Sequence, residues 1–135
     1  MMLAVEIWDN PSCSKCAAAR RTLDEARIPY RLRAYLDDPP TVSELADVLR
    51  LLGARPWEIC RVDEPVAGRL GLKQWPRDDA NADRWMRAMV DHPELIQRPI
   101  LLLDDGHAVI GRSRDALDEV VSRLGPGDAG RSSGG

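Results

Sequence analysis

Phenylalanine is missing from this 135-residue chain, and aromatic residues make up only 4% of it. Leucine, valine and alanine must therefore fill its core, and a hydrophobic fraction of 44% is enough for one domain of this length. Long apolar runs are lacking too. No stretch approaches the roughly 20 residues that a bilayer-crossing helix needs, so no membrane association is expected. Met1 to Val5 is too short an apolar segment for a signal peptide and no cleavage pattern follows it, which points to the cytoplasm. There is no basic block, and the net charge is only −3, which argues against direct nucleic-acid binding. Cysteines number three, an odd count for a disulfide scaffold. In a reducing compartment, a Cys-x-x-Cys pair is instead catalytic, redox-sensing or metal-binding.

Such a pair is present. Asn10-Pro11-Ser12-Cys13-Ser14-Lys15-Cys16 lies between an apolar run ending in Val5, Ile7 and Trp8 and a helical pattern rich in Ala, Arg, Leu and Glu. A cysteine placed between a strand and a helix start meets unpaired backbone N–H groups and the positive end of the helix dipole. Both favour the thiolate, which is the reactive form. Cys16 follows one turn later on the same helical face, within reach of the first sulfur. Cys13 is thus the candidate nucleophile and Cys16 the candidate resolving thiol. The pair could also be half of a zinc site, but Cys60, His92 and His107 lack paired ligand spacing, so no metal is expected.

The rest of the chain frames this motif. A strand is predicted at Leu3 to Trp8 and a helix from about Ser14 to Ala26, with Pro29 marking its exit. Alternation over Tyr30 to Tyr35 predicts a second strand. Strand–helix–strand within some 35 residues is a βαβ unit with parallel strands. Asp37-Asp38-Pro39-Pro40 then breaks the chain, and Thr41 with Glu44 forms a capping box. Val42, Leu45, Val48, Leu49 and Leu52 make a helical stripe that stops at Gly53. Trp57 to Arg61 and Pro65 to Leu70 read as shorter helical pieces, and Ala82 to Val90 as another helix ended by His92-Pro93. Pro99 opens an apolar strand, Asp104-Asp105-Gly106 is a hairpin turn, and Ala108 to Ile110 returns. Ser113 precedes a last helix, and residues 125–135 form a Gly/Ser-rich tail expected to be disordered. The expected architecture is therefore α/β: βαβ–ββα with a four-stranded mixed sheet. One domain is expected over 1–124, with a helical insertion at about 41–96, between the second and third strands. The Cys pair falls at the C-terminal end of the first strand, where open α/β sheets place their sites.

Several residues have plainer readings. Cys60 reads as a core residue inside a helix, and Arg20-Arg21 as a solvated helix face. Trp57, Trp75 and Trp85 read as core or interface. Asp9 reads as a turn former, and His107 belongs to the hairpin.

Four features in this order resemble the arsenate reductases of the glutaredoxin-coupled type. They are Asn10-Pro11-x-Cys13, Cys60-Arg61, Arg98-Pro99-Ile100 and Gly111-Arg112, and Pro39-Pro40-Thr41 and Gly71-Leu72 are similar too. The resemblance covers about residues 3–124 and implies a thioredoxin-like fold. It implies that Cys13 attacks arsenate, that Arg61, Arg98 and Arg112 hold the oxyanion, and that Asn10, Pro11 and Pro99 support the site, with Pro99 in cis. No bound cofactor is implied; a glutathione-like thiol, or a glutaredoxin- or thioredoxin-like partner, would donate electrons. The chain departs from the pattern in having Asp9, where those reductases have His, and Cys16, where they have Ser or a similar residue. An anion beside Cys13 would raise its pKa. The related Spx-type regulators, which bind RNA polymerase, often carry Cys-x-x-Cys here and give the alternative function. A thiol–disulfide reductase without arsenate activity is the other.

Overall fold

In chain order the chain forms β1 (Val5–Trp8), α1 (Ser14–Glu25), β2 (Tyr30–Arg33), α2 (Val42–Leu52), α3 (Pro65–Leu70), α4 (Ala82–Asp91), β3 (Ile100–Leu103), β4 (Ala108–Ile110) and α5 (Arg114–Leu124). The computed structural model describes residues 5–124; Leu3 and Ala4 of the expected first strand and the expected tail lie outside the described residues. The chain divides into two compact units, one of residues 35–97 and one of the stretches before and after it. Among the described residues, no helix is long and apolar enough to cross a membrane.

The first unit is the expected βαβ–ββα. Its sheet has the order β2-β1-β3-β4. β1 and β2 run parallel in register from Val5↔Tyr30 to Trp8↔Arg33, because the α1 crossover returns the chain to the same end. β3 lies antiparallel on the other side of β1, from Val5↔Leu103 to Trp8↔Ile100. The β3–β4 hairpin turns at Gly106, whose φ of +90° suits glycine. Val5 and Ile7 point to one face and pack with Ala19 and Leu23 of α1, Leu101 and Leu103 of β3, and Leu117 and Val120 of α5. That face is the core.

α1 ends earlier than Pro29 requires. The Ile28 N–H bonds the Leu23 carbonyl at 3.0 Å and the Arg27 N–H bonds that of Asp24 at 3.1 Å, a Schellman closure. It places Arg27 at φ +59°, a conformation more usual for glycine. β2 also stops short of the expected Tyr35. It is an edge strand with one paired side, and its Leu32 is 46% exposed.

The second unit is helical. Thr41 Oγ1 accepts from the Glu44 N–H at 3.0 Å, and the Glu44 side chain accepts from the Thr41 N–H at 2.9 Å, so the capping box of α2 is complete. Leu45, Val48 and Leu49 bury the apolar face of α2. Trp85 of α4 is fully buried and meets Trp75 edge-on at 5.5 Å and Trp57 at 6.3 Å. Trp85 is therefore core, while Trp57 and Trp75 are half-buried and pack edge-on against it. Cys60 corrects an expectation. Pro56 starts only a three-residue 3₁₀ turn, Pro56–Glu58, after which the backbone extends and Cys60 pairs with Ile96 in an isolated β-bridge.

Candidate active site

The first unit presents Cys13 where β1 gives way to α1. Asn10 shapes the intervening loop. Its side-chain oxygen accepts from the Ser12 N–H at 2.9 Å and its carbonyl from the Cys13 N–H at 3.0 Å. Pro11, with its fixed φ, occupies the turn between them. The turn leaves Cys13 extended, at φ −96° and ψ 124°, as the N-cap residue of α1. No side chain caps this helix, and no acidic residue lies in its first turn.

The orphan N–H groups are turned to the sulfur instead. Burial pushes the Cys13 thiol up. The Arg98 guanidinium opposes this, as do hydrogen bonds from the backbone of Cys16 and Lys15 and from the Cys16 side chain, and the balance lowers it to about 7 from an ordinary 9.0. Near neutral pH, a large share of Cys13 is therefore thiolate. Cys16 behaves oppositely. It is fully buried. Burial pushes its thiol up to about 11; the Asn10 N–H, 3.5 Å from its sulfur, opposes the shift, and the charges of Cys13 and Asp9 add to it. The two sulfurs thus divide into a half-buried thiol that ionises readily and a shielded, protonated neighbour.

The charge of Asp9 bears on the second thiol, Cys16, which it helps to keep protonated. Asp9 is buried, with 5% exposure, and ion-paired to Arg20. This corrects the reading of Arg20 as a purely solvated residue: it reaches from α1 to neutralise a carboxylate that burial would otherwise penalise. The signal was present in the sequence as an acid before Asn-Pro and a base on the helix four residues past Cys16, which is the same helical face.

Two of the three expected arginines belong to this unit. Arg98 precedes Pro99, and the peptide bond between them is cis. Arg112 follows β4 and donates to the Arg98 carbonyl at 2.7 Å. Gly111 permits this route. Its N–H bonds the Pro99 carbonyl at 2.9 Å. A Cβ on Gly111 would sit 2.7 Å from Leu101 and 3.0 Å from Leu117. Cys13, Arg98 and Arg112 are thus linked by a chain of hydrogen bonds. Arg61 lies in the second unit, where it donates to Gln97 at 2.8 Å and to Glu64 at 3.2 Å. Cys60 is half-buried in that unit, and burial pushes its thiol up to about 11. Among the described residues no group of His, Cys, Asp and Glu is arranged to hold a metal ion.

Similar proteins point the same way as the geometry. The ArsC family pattern matches residues 8–120. An uncharacterized protein in the glnII region of Streptomyces viridochromogenes is 47% identical over 119 residues, 88% of this chain and 100% of its own. The arsenate reductase of Neisseria meningitidis serogroup A is 38% identical over 89% of this chain and 100% of its own. The global transcriptional regulator Spx 1 of Bacillus cereus is also related, at 28% identity over 88% of each chain. The solved structure of an arsenate reductase from Vibrio cholerae matches with a TM-score of 0.79 at 30% identity, covering 89% of this chain and 99% of that one.

Proposed function

The chain belongs to the ArsC family, and on that premise we propose that it is a thiol-dependent oxidoreductase that reduces arsenate to arsenite. The observation that carries the reading is the Cys13 sulfur: an N-cap thiol lowered to about 7 with a guanidinium hydrogen-bonded to it. Arsenate is a tetrahedral oxyanion, and arginine forks and helix N-terminal amides are the donors that suit it.

In this mechanism the Cys13 thiolate attacks arsenic. One arsenate oxygen takes up protons and leaves as water, and an S–As(V) bond forms. Arg98 and Arg112 hold the remaining oxygens. Arg61 is assigned the third contact by the family resemblance. Cys16 then attacks the Cys13 sulfur, and its proton passes to a departing oxygen. The S–As bond breaks with its electron pair left on arsenic, which leaves as arsenite, As(III). Two thiols have become the Cys13–Cys16 disulfide, which a glutathione-like thiol or a glutaredoxin- or thioredoxin-like dithiol reduces.

NADPH-coupled turnover with arsenate tests this, run once with glutathione and glutaredoxin and once with thioredoxin. Arsenate-dependent turnover that vanishes in Cys13→Ser is expected; no turnover in either system rejects the reading. A second expectation concerns Arg98. The pH dependence of iodoacetamide labelling at Cys13 should have its midpoint near 7. In Arg98→Gln the midpoint should rise toward 9.0, so that labelling at neutral pH slows, because only thiolate reacts.

The Cys-x-x-Cys pair favours a second reading, a redox-sensing regulator of the Spx type. Polymerase capture dependent on oxidation, without arsenate turnover, is its signature. Arg112 after β4 weighs against it. A disulfide reductase inactive on arsenate is the third outcome of the same assays.

A further inference from the structure

Of the arginines assigned to the oxyanion, Arg112 donates to a neutral carbonyl, whereas Arg61 carries a carboxylate partner, Glu64. Backbone bonds of the second unit fix that pair. The Arg61 N–H donates to the Leu95 carbonyl at 2.7 Å and the Gln97 N–H to that of Ile59 at 2.9 Å, on either side of the Cys60–Ile96 bridge. Arg61 and Gln97 thus lie on neighbouring extended segments, and Arg61 Nη1 donates to the Gln97 side-chain oxygen at 2.8 Å. The next turn brings up Glu64. Its N–H donates to the Arg61 carbonyl at 3.2 Å, and its Oε2 accepts from Arg61 Nε at 3.2 Å. Glu64 is the N-cap residue of α3 but gives that helix no side-chain hydrogen bond; its carboxylate turns to Arg61 instead. The two side chains are 24% and 26% exposed, so the clamped pair still meets solvent. Among the described residues, Arg61 Nη2 and Glu64 Oε1 have no hydrogen-bond partner. One donor and one acceptor are left to a guest.

A carboxylate beside a cation weakens the hold of that cation on every anion. What it supplies in exchange is discrimination. Near neutral pH, arsenate and phosphate keep at least one proton, so each presents a hydroxyl donor as well as acceptor oxygens. Sulfate and selenate have the same tetrahedral shape and present acceptors alone. A carboxylate oxygen accepts from a hydroxyl and repels a bare anionic oxygen. From this we infer that Glu64 is a specificity-determining residue, which selects a tetrahedral oxyanion that carries a proton and rejects sulfate. The guest hydroxyl donates to Glu64 Oε1 while Arg61 donates to a neighbouring oxygen. The inference rests on the reading in which Arg61 contacts the oxyanion, and it adds what that contact demands of the guest. A site built to hydrogen-bond a hydroxyl discriminates against the analogue lacking it, because the polar group of the site is then left unpaired.

The test uses the full chain carrying Cys13→Ser, in which no chemistry consumes the guest and no turnover is needed. Arsenate, phosphate, sulfate and selenate are titrated separately at neutral pH and constant ionic strength. Dissociation constants are read from ¹⁵N shifts, the Arg61 Nε–H signal among them. Arsenate and phosphate are expected to bind at least about tenfold more tightly than sulfate and selenate, the scale of one hydrogen bond to a charged group. Adding Glu64→Gln turns the free acceptor into an amide donor, and should tighten sulfate and selenate until the four anions lie within roughly threefold of one another. Glu64→Ala should shrink the ratio too, and guards against a fold change peculiar to the first variant. Arsenate binding whose preference over sulfate is unchanged in both Glu64 variants overturns the inference alone. So does equal binding of arsenate and sulfate by the chain that retains Glu64. Failure of all four anions to bind overturns the inference together with the arsenate reading.

Discussion

α1 and α2 begin in opposite ways. At α2, Thr41 and Glu44 occupy the orphan N–H groups with a reciprocal capping box. At α1, the N-cap residue is Cys13, and it makes no such hydrogen bond; the first turn carries Lys15 and no acid. The α2 start is built for stability. The α1 start leaves its amides and its dipole to a sulfur and to whatever anion that sulfur meets. A reactive thiolate and a well-capped helix compete for the same backbone groups, and this chain resolves the competition differently at its two sites.

The sharpest way to break the contrast is Cys13→Ser. Serine is a preferred N-cap, so the variant should lose thiol chemistry entirely while α1 gains up to about 1 kcal/mol. Labelling, turnover and urea unfolding together check both halves; a Cys13→Ser chain less stable than the parent would contradict the account of α1. Next is Thr41→Ala, which removes the α2 cap and should cost about 1 kcal/mol while leaving the Cys13 labelling midpoint near 7. The smallest effect is expected of Lys15→Glu. It supplies the missing acid to the first turn of α1 and should stabilise by roughly 0.3–1 kcal/mol at low salt. Its negative charge should also move the Cys13 midpoint upward, so stability and reactivity would change in opposite directions.

Much of this was legible in the sequence, for identifiable reasons. The β1–α1–β2 unit, the Thr41–Glu44 box and the Asp104–Gly106 hairpin are local patterns, and local hydrogen bonds decide them. Gly53 ends α2 with φ +66°, as its position after the apolar stripe implied. What escaped depends on residues far apart in the chain or on an unusual backbone. The Arg20–Asp9 pair spans a strand end and a helix. Arg98, 85 positions from Cys13, was named by the family resemblance alone, since no spacing rule brings its guanidinium to that sulfur. Arg27 replaces the glycine expected at a left-handed helix end, so Pro29 was left as the visible stop. Cys60 lies beside a short 3₁₀ turn, whose apolar pattern cannot be told from that of a brief α-helix.

Gly111 sets a limit on how this site can change over generations. Leu101, against which any β-carbon there would press, is fully enclosed by its neighbours and has nowhere to swing. Arg114, three positions on, faces water, whereas Ser113 is held as the cap of α5, its hydroxyl accepting from the Ala116 N–H at 3.0 Å. The bend leading into Arg112 is therefore a fixed hinge pin, and lineages of this chain can retune charge at position 114 far more easily than they can move that bend.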